Sequence, residues 1–185
     1  MNARSNADAL ITRAAEFAEH AHQGQFRKGE NPAPYITHPA EVAQIVRDFG
    51  GDHVSIAAAW LHDALEDTPT TFTDLEHIFG SDVAAVVLEV TDDTSLPQAQ
   101  RRQAQIASAP QKSVTAALVK AADQMSNVRS LRLSPPDWTD TQVQAYLEKA
   151  RKIVELLPCP PLLKQAFEQE TGMTAAFWEA ARPSA

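Results

Sequence analysis

The sequence predicts a single all-α domain, and three observations carry that expectation. Apolar residues recur at i, i+3, i+4 and i+7 through most long segments, which is the spacing of one helix face. The chain is 44% hydrophobic with only six glycines, and Ala, Leu and Gln, which cost little in a helix, recur throughout. No strand pair, internal repeat or linker is visible. A chain of 185 residues suits one well-buried core and is short for two, so residues 1–185 are taken as one domain.

Residues 5–23 read as the first helix, capped by Ser5, with Leu10, Ala14, Phe17, Ala18 and Ala21 on one stripe and Gly24 as the stop. Residues 25–36 are a loop by their Gly, Asn and Pro content. Pro39 suits the first position of a second helix, which buries Val42, Ile45, Val46 and Phe49 and stops at Gly50-Gly51. Asp52 or Ser55 caps a central helix, expected to run unbroken to Thr68-Pro69. Thr73 and Glu76 have the spacing of a capping box, opening a short helix that closes at Phe79-Gly80. Ser81 or Asp82 opens the next, where the spacing of Val83, Val86, Val87 and Val90 favours helix over strand. Pro97 begins a polar helix carrying Arg101 and Arg102, both read first as solvated. A longer helix over residues 113–131 turns Val114, Leu118, Ala121, Ala122, Met125 and Val128 inward. Thr139 or Asp140 caps a helix through Leu157. Pro158 to Pro161 separates it from a last one, with Leu162, Leu163 and Phe167 and, beyond Gly172, Phe177-Trp178.

Net charge narrows the partners. With 16 Lys and Arg against 24 Asp and Glu, the chain carries a formal −8, which argues against sequence-independent binding to nucleic acid or to anionic membranes. A local basic patch still suits a phosphorylated small molecule. No apolar run approaches the roughly 18 to 20 residues of a membrane span, and the N-terminus lacks a signal peptide's apolar core. Cys159 is the only cysteine, so a cytoplasmic protein is expected and Cys159 is read as structural.

The chemistry gathers in Ala57-Ala58-Ala59-Trp60-Leu61-His62-Asp63-Ala64-Leu65-Glu66-Asp67-Thr68. Four polar residues interrupt an apolar helix, with Glu66 one turn beyond His62 and Asp67 one turn beyond Asp63. His62 and Asp63 point about 100° apart around the axis, and a metal ion at the edge of the stripe would use both. The next turn would then offer two carboxylates to a water. An ordinary helix end with solvated Glu66 and Asp67 is the plainer alternative, but Ala58, Ala59, Trp60, Leu61, Ala64 and Leu65 leave the pair no polar outer face. Burying such charges without compensation costs several kcal/mol each, on the order of 3 to 5.

Two other places supply partners. His38 stands before Pro39, where a histidine also serves as a plain cap. Asp123 interrupts Leu118-Val119-Lys120-Ala121-Ala122 in an apolar helix, and Lys120 at i−3 offers a purely structural salt bridge. Asn127 at i+4 shares the face of Asp123. Together His38, His62, Asp63 and Asp123 make two imidazoles and two carboxylates. That donor set suits Mn²⁺, Mg²⁺ or Fe²⁺ in an open octahedral site, with Zn²⁺ less natural.

This order, H…HD…D, resembles the HD superfamily of metal-dependent phosphohydrolases. Further stretches are similar to the hydrolase domain of Rel/SpoT proteins, from about His20 to Tyr146: His22-Gln23-Gly24-Gln25-Phe26-Arg27-Lys28, Pro34-Tyr35-Ile36-Thr37-His38-Pro39, Phe79-Gly80, Val90-Thr91-Asp92-Asp93, and Lys120 to Asp123 with Asn127 and Arg129. The length leaves no room for a synthetase domain, so the chain resembles the stand-alone small alarmone hydrolases, the metazoan SpoT-like homologues among them. The resemblance implies an HD-type helical bundle that hydrolyses (p)ppGpp to GDP or GTP and pyrophosphate, with one Mn²⁺ per site. It implies His38, His62, Asp63 and Asp123 as ligands, and Glu66 and Asp67 as the groups that position and deprotonate the attacking water. It implies Arg27, Lys28, Tyr35, Asn127 and Tyr146 around the nucleotide, and Lys120 and Arg129 are added as further cations there, with Arg101 and Arg102 joining them where the solvated reading does not hold.

The chain departs from the family at Gln124, where a basic residue is common, and at Ser126, where a bulky ring is common. Basic residues are also expected near Gln98 and Gln142. These differences are expected to leave the metal residues alone and to bear on substrate affinity and choice. Two other readings stay open: an HD phosphatase acting on another nucleotide such as NADPH, and a silent HD domain that binds a nucleotide or a partner protein. The intact Glu66-Asp67 pair favours catalysis, since a binding module needs neither carboxylate.

Overall fold

The computed structural model describes residues 3–29 and 32–181. It is all-α, as the periodicity predicts. The elements are α1 (Ala3–Ala21), α2 (Thr37–Asp48), α3 (His53–Leu61), α4 (Ala64–Asp67), α5 (Phe72–Phe79), α6 (Ser81–Val90), α7 (Gln98–Ser108), a 3-10 turn (Ala109–Gln111), α8 (Val114–Leu133), α9 (Asp140–Leu156) and α10 (Pro161–Ala180). Extended pairing among the described residues is limited to a bridge between Phe26 and Pro34 that pinches the loop before α2.

Helix α3 sits at the centre, packed against α1, α2, α6 and α8. Its run of Ile56, Ala57, Ala58, Ala59 and Leu61 is buried, and a helix apolar on every side has no other stable place. Three consecutive alanines let the neighbouring backbones approach closely. Helix α8 is the second axis, packed against α2, α3, α6, α9 and α10. It buries Lys120, Asp123, Gln124 and Ser126 along with its apolar residues. Four polar groups inside one helix call for partners, and those partners build the site. Helix α10 closes the far side of α8, where the Thr174 hydroxyl donates to Val128 O at 3.2 Å and the Trp178 indole to Leu131 O at 3.1 Å.

Several helix ends differ from expectation. The central helix does not run unbroken: it stops at Leu61, and Asp63 takes φ −95°, ψ −1° before α4 begins. Both Glu66 N–H and Asp67 N–H then bond to Asp63 O, at 3.2 and 3.0 Å. The capping box lies two residues earlier than the sequence pattern suggests, between Thr71 and Asp74. Helix α1 begins at Ala3, leaving Ser5 inside it, and α2 begins at Thr37. Pro97 caps α7 instead of entering it, and α10 passes through Gly172 without a break. Asp52 and Thr139 cap as expected, and Ser113 caps α8 instead of lying inside it, each side chain accepting a backbone N–H.

Candidate functional site: a metal centre at the floor of a cationic cavity

His38 comes from the start of α2, His62 and Asp63 from the corner between α3 and α4, and Asp123 from the middle of α8. Ligand-competent atoms of His38, His62 and Asp123 all lie within 4.8 Å of one another. Asp63 Oδ2 completes the group, 3.1 Å from His62 Nε2 and 3.5 Å from His38 Nε2. Asp123 Oδ1 stands 3.3 Å from His38 Nε2 and 3.8 Å from His62 Nε2. The corner at Asp63 explains the convergence, because a straight helix would have pointed His62 and Asp63 apart.

Each imidazole is oriented through its other nitrogen. His62 Nδ1 donates to Ala59 O at 2.8 Å, one helical turn back. His38 Nδ1 lies 2.9 Å from Ser126 Oγ, and that hydroxyl donates to Glu41 Oε2 at 2.6 Å. Since Ser126 has given its one proton to a carboxylate, it accepts from His38 Nδ1–H. Both Nε2 atoms therefore face inward as bases, only 3.2 Å apart. Two lone pairs at that distance, beside two carboxylates, require a shared cation. Without metal a proton fills the role: burial pulls His62 down, but Asp63 and then Asp123 outweigh it and lift it to about 9. Burial would raise Asp63 and Asp123, yet the two imidazoles, with Lys120 beside Asp123, hold both carboxyls below the usual range. This donor set fits a divalent cation.

The support around it is dense. Glu41 Oε1 accepts from Arg129 at 2.7 Å, and Glu170 joins Arg129 and Arg132 at 2.9 and 2.7 Å. A chain of bonds thus runs from His38 through Ser126 and Glu41 into α10. On the other side Asp123 holds Lys120 Nζ at 3.5 Å, the Gln124 amide at 3.1 Å and the Asn127 amide at 2.5 Å. Lys120 also reaches Val90 O and Asp92, at 3.4 and 3.9 Å, and lies outside the cavity lining. Arg129 is likewise taken by Glu41 and Glu170. Lys120 thus takes the structural salt bridge that the sequence offers as its plainer alternative, and Arg129, expected beside the nucleotide, is held by carboxylates of α2 and α10.

The departures at Gln124 and Ser126 lie against metal residues, contrary to the expectation that they bear on substrate. Ser126 is fully buried and closes the link from His38 to Glu41. Ser126→Ala should therefore weaken metal affinity by about 10- to 100-fold, the usual cost of losing such a partner, while Ser126→Thr keeps most of it. Metal titration followed by calorimetry measures this, and equal affinity in Ser126→Ala would show that the link is idle.

Beside the metal residues Glu66 Oε1 accepts Asp92 N–H at 2.6 Å. Burial above all, with the carboxylates of Asp92 and Asp63, pushes Glu66 up to about 7 against the pull of the Asp92 amide and Lys120. Asp67 is exposed toward the cavity, and the Tyr35 hydroxyl lies 2.6 Å from Asp63 Oδ2 and 3.2 Å from Asp67 Oδ2. Tyr35 thus turns its ring to the cavity but commits its hydroxyl to the metal side.

A cavity of about 530 Å³ opens above this floor. Arg27, Lys28, Tyr35 and Asn127 line it together with Tyr146, whose ring is tilted at 50° to that of Trp138 with centroids 5.6 Å apart. Arg27 is not a free loop tip. Its guanidinium sits 3.5 Å from Glu41 and from Ser126, and its backbone N–H bonds to Ala33 O at 2.9 Å. Gly29, at φ 132°, passes so close to Ser134 that any Cβ there would collide. Arg101 and Arg102 also line the cavity, against the solvated reading, and so do Trp138 and Lys149, which the sequence reading missed.

Residues 14–145 match the HD domain family. The chain belongs to the HD-domain family. Among HD-domain relatives, a mouse protein named guanosine-3′,5′-bis(diphosphate) 3′-pyrophosphohydrolase MESH1 is 43% identical over 174 residues, covering 90% of this chain and 97% of that one. The Escherichia coli bifunctional (p)ppGpp synthase/hydrolase SpoT is 37% identical over 133 residues, which is 69% of this chain and 19% of SpoT. A solved structure described as a metazoan ortholog of SpoT that hydrolyzes ppGpp superposes with a TM-score of 0.84 at 34% identity, covering 89% of this chain and 95% of that one. The resemblance to metazoan SpoT-like proteins, and the all-α HD fold it implies, both stand.

Proposed function

We propose that this HD-domain chain is a metal-dependent (p)ppGpp 3′-pyrophosphohydrolase. The observation that carries the reading is the convergence of His38, His62, Asp63 and Asp123 within a few ångströms of one another, next to Glu66 and Asp67, at the floor of a cationic cavity. The names of the mouse and E. coli relatives support the choice of substrate. Mn²⁺ is the proposed ion, because two imidazoles and two carboxylates with open positions suit it, and Mg²⁺, Fe²⁺ and Zn²⁺ are the alternatives. A divalent cation there supplies charge to phosphoryl oxygens and lowers the pKa of a nearby water.

The chain's residues account for the rest. A water oxygen bonds to the phosphorus nearer the ribose, and the bond from that phosphorus to the 3′-oxygen breaks. The 3′-oxygen leaves with GDP or GTP and takes up the proton that the water gives through Glu66, so that a 3′-hydroxyl forms, and the water oxygen stays on the released pyrophosphate. Glu66, held near neutral, takes the proton from the water, and Asp67 orients that water from the cavity side. Asn127, Gln124 and Lys120 fix Asp123, and Tyr35 fixes Asp63. Arg27 and Lys28 supply counter-charge, and Tyr146 offers a ring to the nucleotide. At a net −8 the protein as a whole repels polyphosphates, so these local cations matter.

The reading treats the whole chain as one domain, with α10 packed on α8 through Thr174 and Trp178 as its support. It also places the protein in the cytoplasm, acting on a small molecule and not on nucleic acid or membrane. Among the described residues no helix is long and apolar enough to cross a membrane. Purified protein reconstituted with Mn²⁺ and given ppGpp, NADPH and dNTPs in parallel tests the assignment. Release of GDP and pyrophosphate from ppGpp is expected. Dephosphorylation of NADPH with ppGpp left intact would replace it with the other nucleotide reading.

A further inference from the structure

Four cations that line the cavity, Lys28, Arg101, Arg102 and Lys149, hold no carboxylate at ion-pair distance among the described residues, and the last three come from two facing helices. Arg101 and Arg102 lie on α7 and Lys149 on α9, and among the described residues no carboxylate oxygen lies within 4.0 Å of any of them. The contrast is with Arg27, Lys120, Arg129 and Arg132, each of which holds a carboxylate within that distance. Arg101 Nε is buried without a hydrogen-bond partner. Lys149 Nζ stands 4.7 Å over the Tyr146 ring, a contact that orients an ammonium without neutralising it. Burial first, and then Lys120 and Arg102, lower the Lys149 pKa, while Asp123 and Asp92 pull the other way. The half-buried ammonium therefore lies close enough to Arg102 to be repelled by it. Asp67 and Asp92 line the same cavity and Asp93 acts on Arg101, but none of these carboxylates closes on Arg101, Arg102 or Lys149, and three like charges left open in one cavity of a chain of net charge −8 point to an anion.

We propose that Arg101, Arg102 and Lys149 form a subsite for the diphosphate that is not cleaved, the 5′-diphosphate of a guanosine nucleotide. The proposal rests on the hydrolase reading for the identity of the nucleotide, but the anion preference stands on these side chains alone. A substrate with diphosphates at both 3′ and 5′ positions needs two separated cationic sites. The metal floor serves one, and this cluster serves the other. Arg27 is a poorer candidate, since Glu41 already lies 3.5 Å from it. Lys149 falls outside residues 14–145, the stretch that matches the HD domain, so it adds to the family frame from the chain's own helix α9.

Calorimetric binding of GDP and of guanosine to the Mn²⁺-reconstituted protein reads the subsite directly, because the two ligands differ only in the 5′-diphosphate. Guanidinium and ammonium contacts to phosphate are worth roughly tenfold or more in affinity each. GDP should bind the parent at least about tenfold tighter than guanosine. An Arg102→Gln, Lys149→Gln double variant should lose most of that ratio while still binding guanosine, and Lys149→Arg should keep it. If the double variant does not fold, Arg102→Gln alone carries the test from an exposed position. An unchanged ratio in the neutralised variant, or a parent that binds both ligands equally, overturns the subsite. Turnover of ppGpp by the parent is followed alongside. Turnover with an unchanged ratio removes the subsite and keeps the hydrolase, whereas a lost ratio without turnover keeps the subsite and removes the hydrolase.

Discussion

Removal of one metal residue should empty the site and stop turnover. After reconstitution with Mn²⁺ and dialysis, the parent should hold one ion per chain, and His62→Ala and Asp123→Ala should hold almost none. Four donors converge from three elements, so losing one leaves the others without a complete shell. The two variants should differ in stability. His62→Ala removes a group whose ring bonds only to Ala59 O and its fellow ligands. Asp123→Ala strands Lys120, which is 7% exposed and has Asp123 as its nearest carboxylate. Breaking such a buried pair by removing one member costs roughly 3 to 5 kcal/mol, so Asp123→Ala should melt markedly lower and Asp123→Asn less so. Elemental analysis with a thermal melt checks both. Full metal content in both variants would remove the centre from this reading. Binding should also expel the proton from His62, which stands at about 9 in the metal-free cluster, so affinity rises as pH rises toward that value.

The metal residues were legible because they are misfits. An Asp inside Leu118-Val119-Lys120-Ala121-Ala122 and a His-Asp pair inside an alanine run carry a burial cost that only a joint use offsets. The break at His62 was not legible. Ala and Leu on both sides, with Glu66 beyond, favour helix, and packing of α3 against four neighbours sets where it ends. The cavity walls were hidden for a related reason. Helix α7 buries no residue, so its amphipathy cannot say which polar side meets solvent and which meets α9 across the cavity. Lys149 had one available signal, its place three residues beyond Tyr146 on the same helix face. Gln124 and Ser126 were misplaced because a polar residue near a metal Asp reads equally as substrate contact or as support. Only the bonds to Asp123, His38 and Glu41 distinguish the two.

Glu66→Gln and Asp67→Asn should keep the metal and lose most turnover. Neither carboxylate is among the converging ligand atoms, so metal content should match the parent. A positioned general base is worth roughly 10²- to 10⁴-fold, and the larger loss is expected at Glu66. Its carboxyl stands at about 7, where it can take a proton near neutral pH, and its Oε1 is fixed by the Asp92 amide at 2.6 Å. Gln keeps that acceptor but cannot take the proton. Asp67 is exposed and accepts a long bond from Tyr35, which suits orientation of a water more than its deprotonation. The same burial that tunes Glu66 costs stability, and the sign can be worked out. The folded carboxyl is raised from its ordinary 4.5 to about 7, so its contribution is fully present below about 4.5 and lost as pH rises through about 7. In metal-stripped protein, Glu66→Gln should therefore melt higher than the parent at about pH 8, with the gap closing near pH 4.5. An inactive variant with that gap is the signature of a carboxylate held in place for catalysis at the expense of stability. Parent-rate hydrolysis by both variants would return Glu66 and Asp67 to an ordinary solvated helix end.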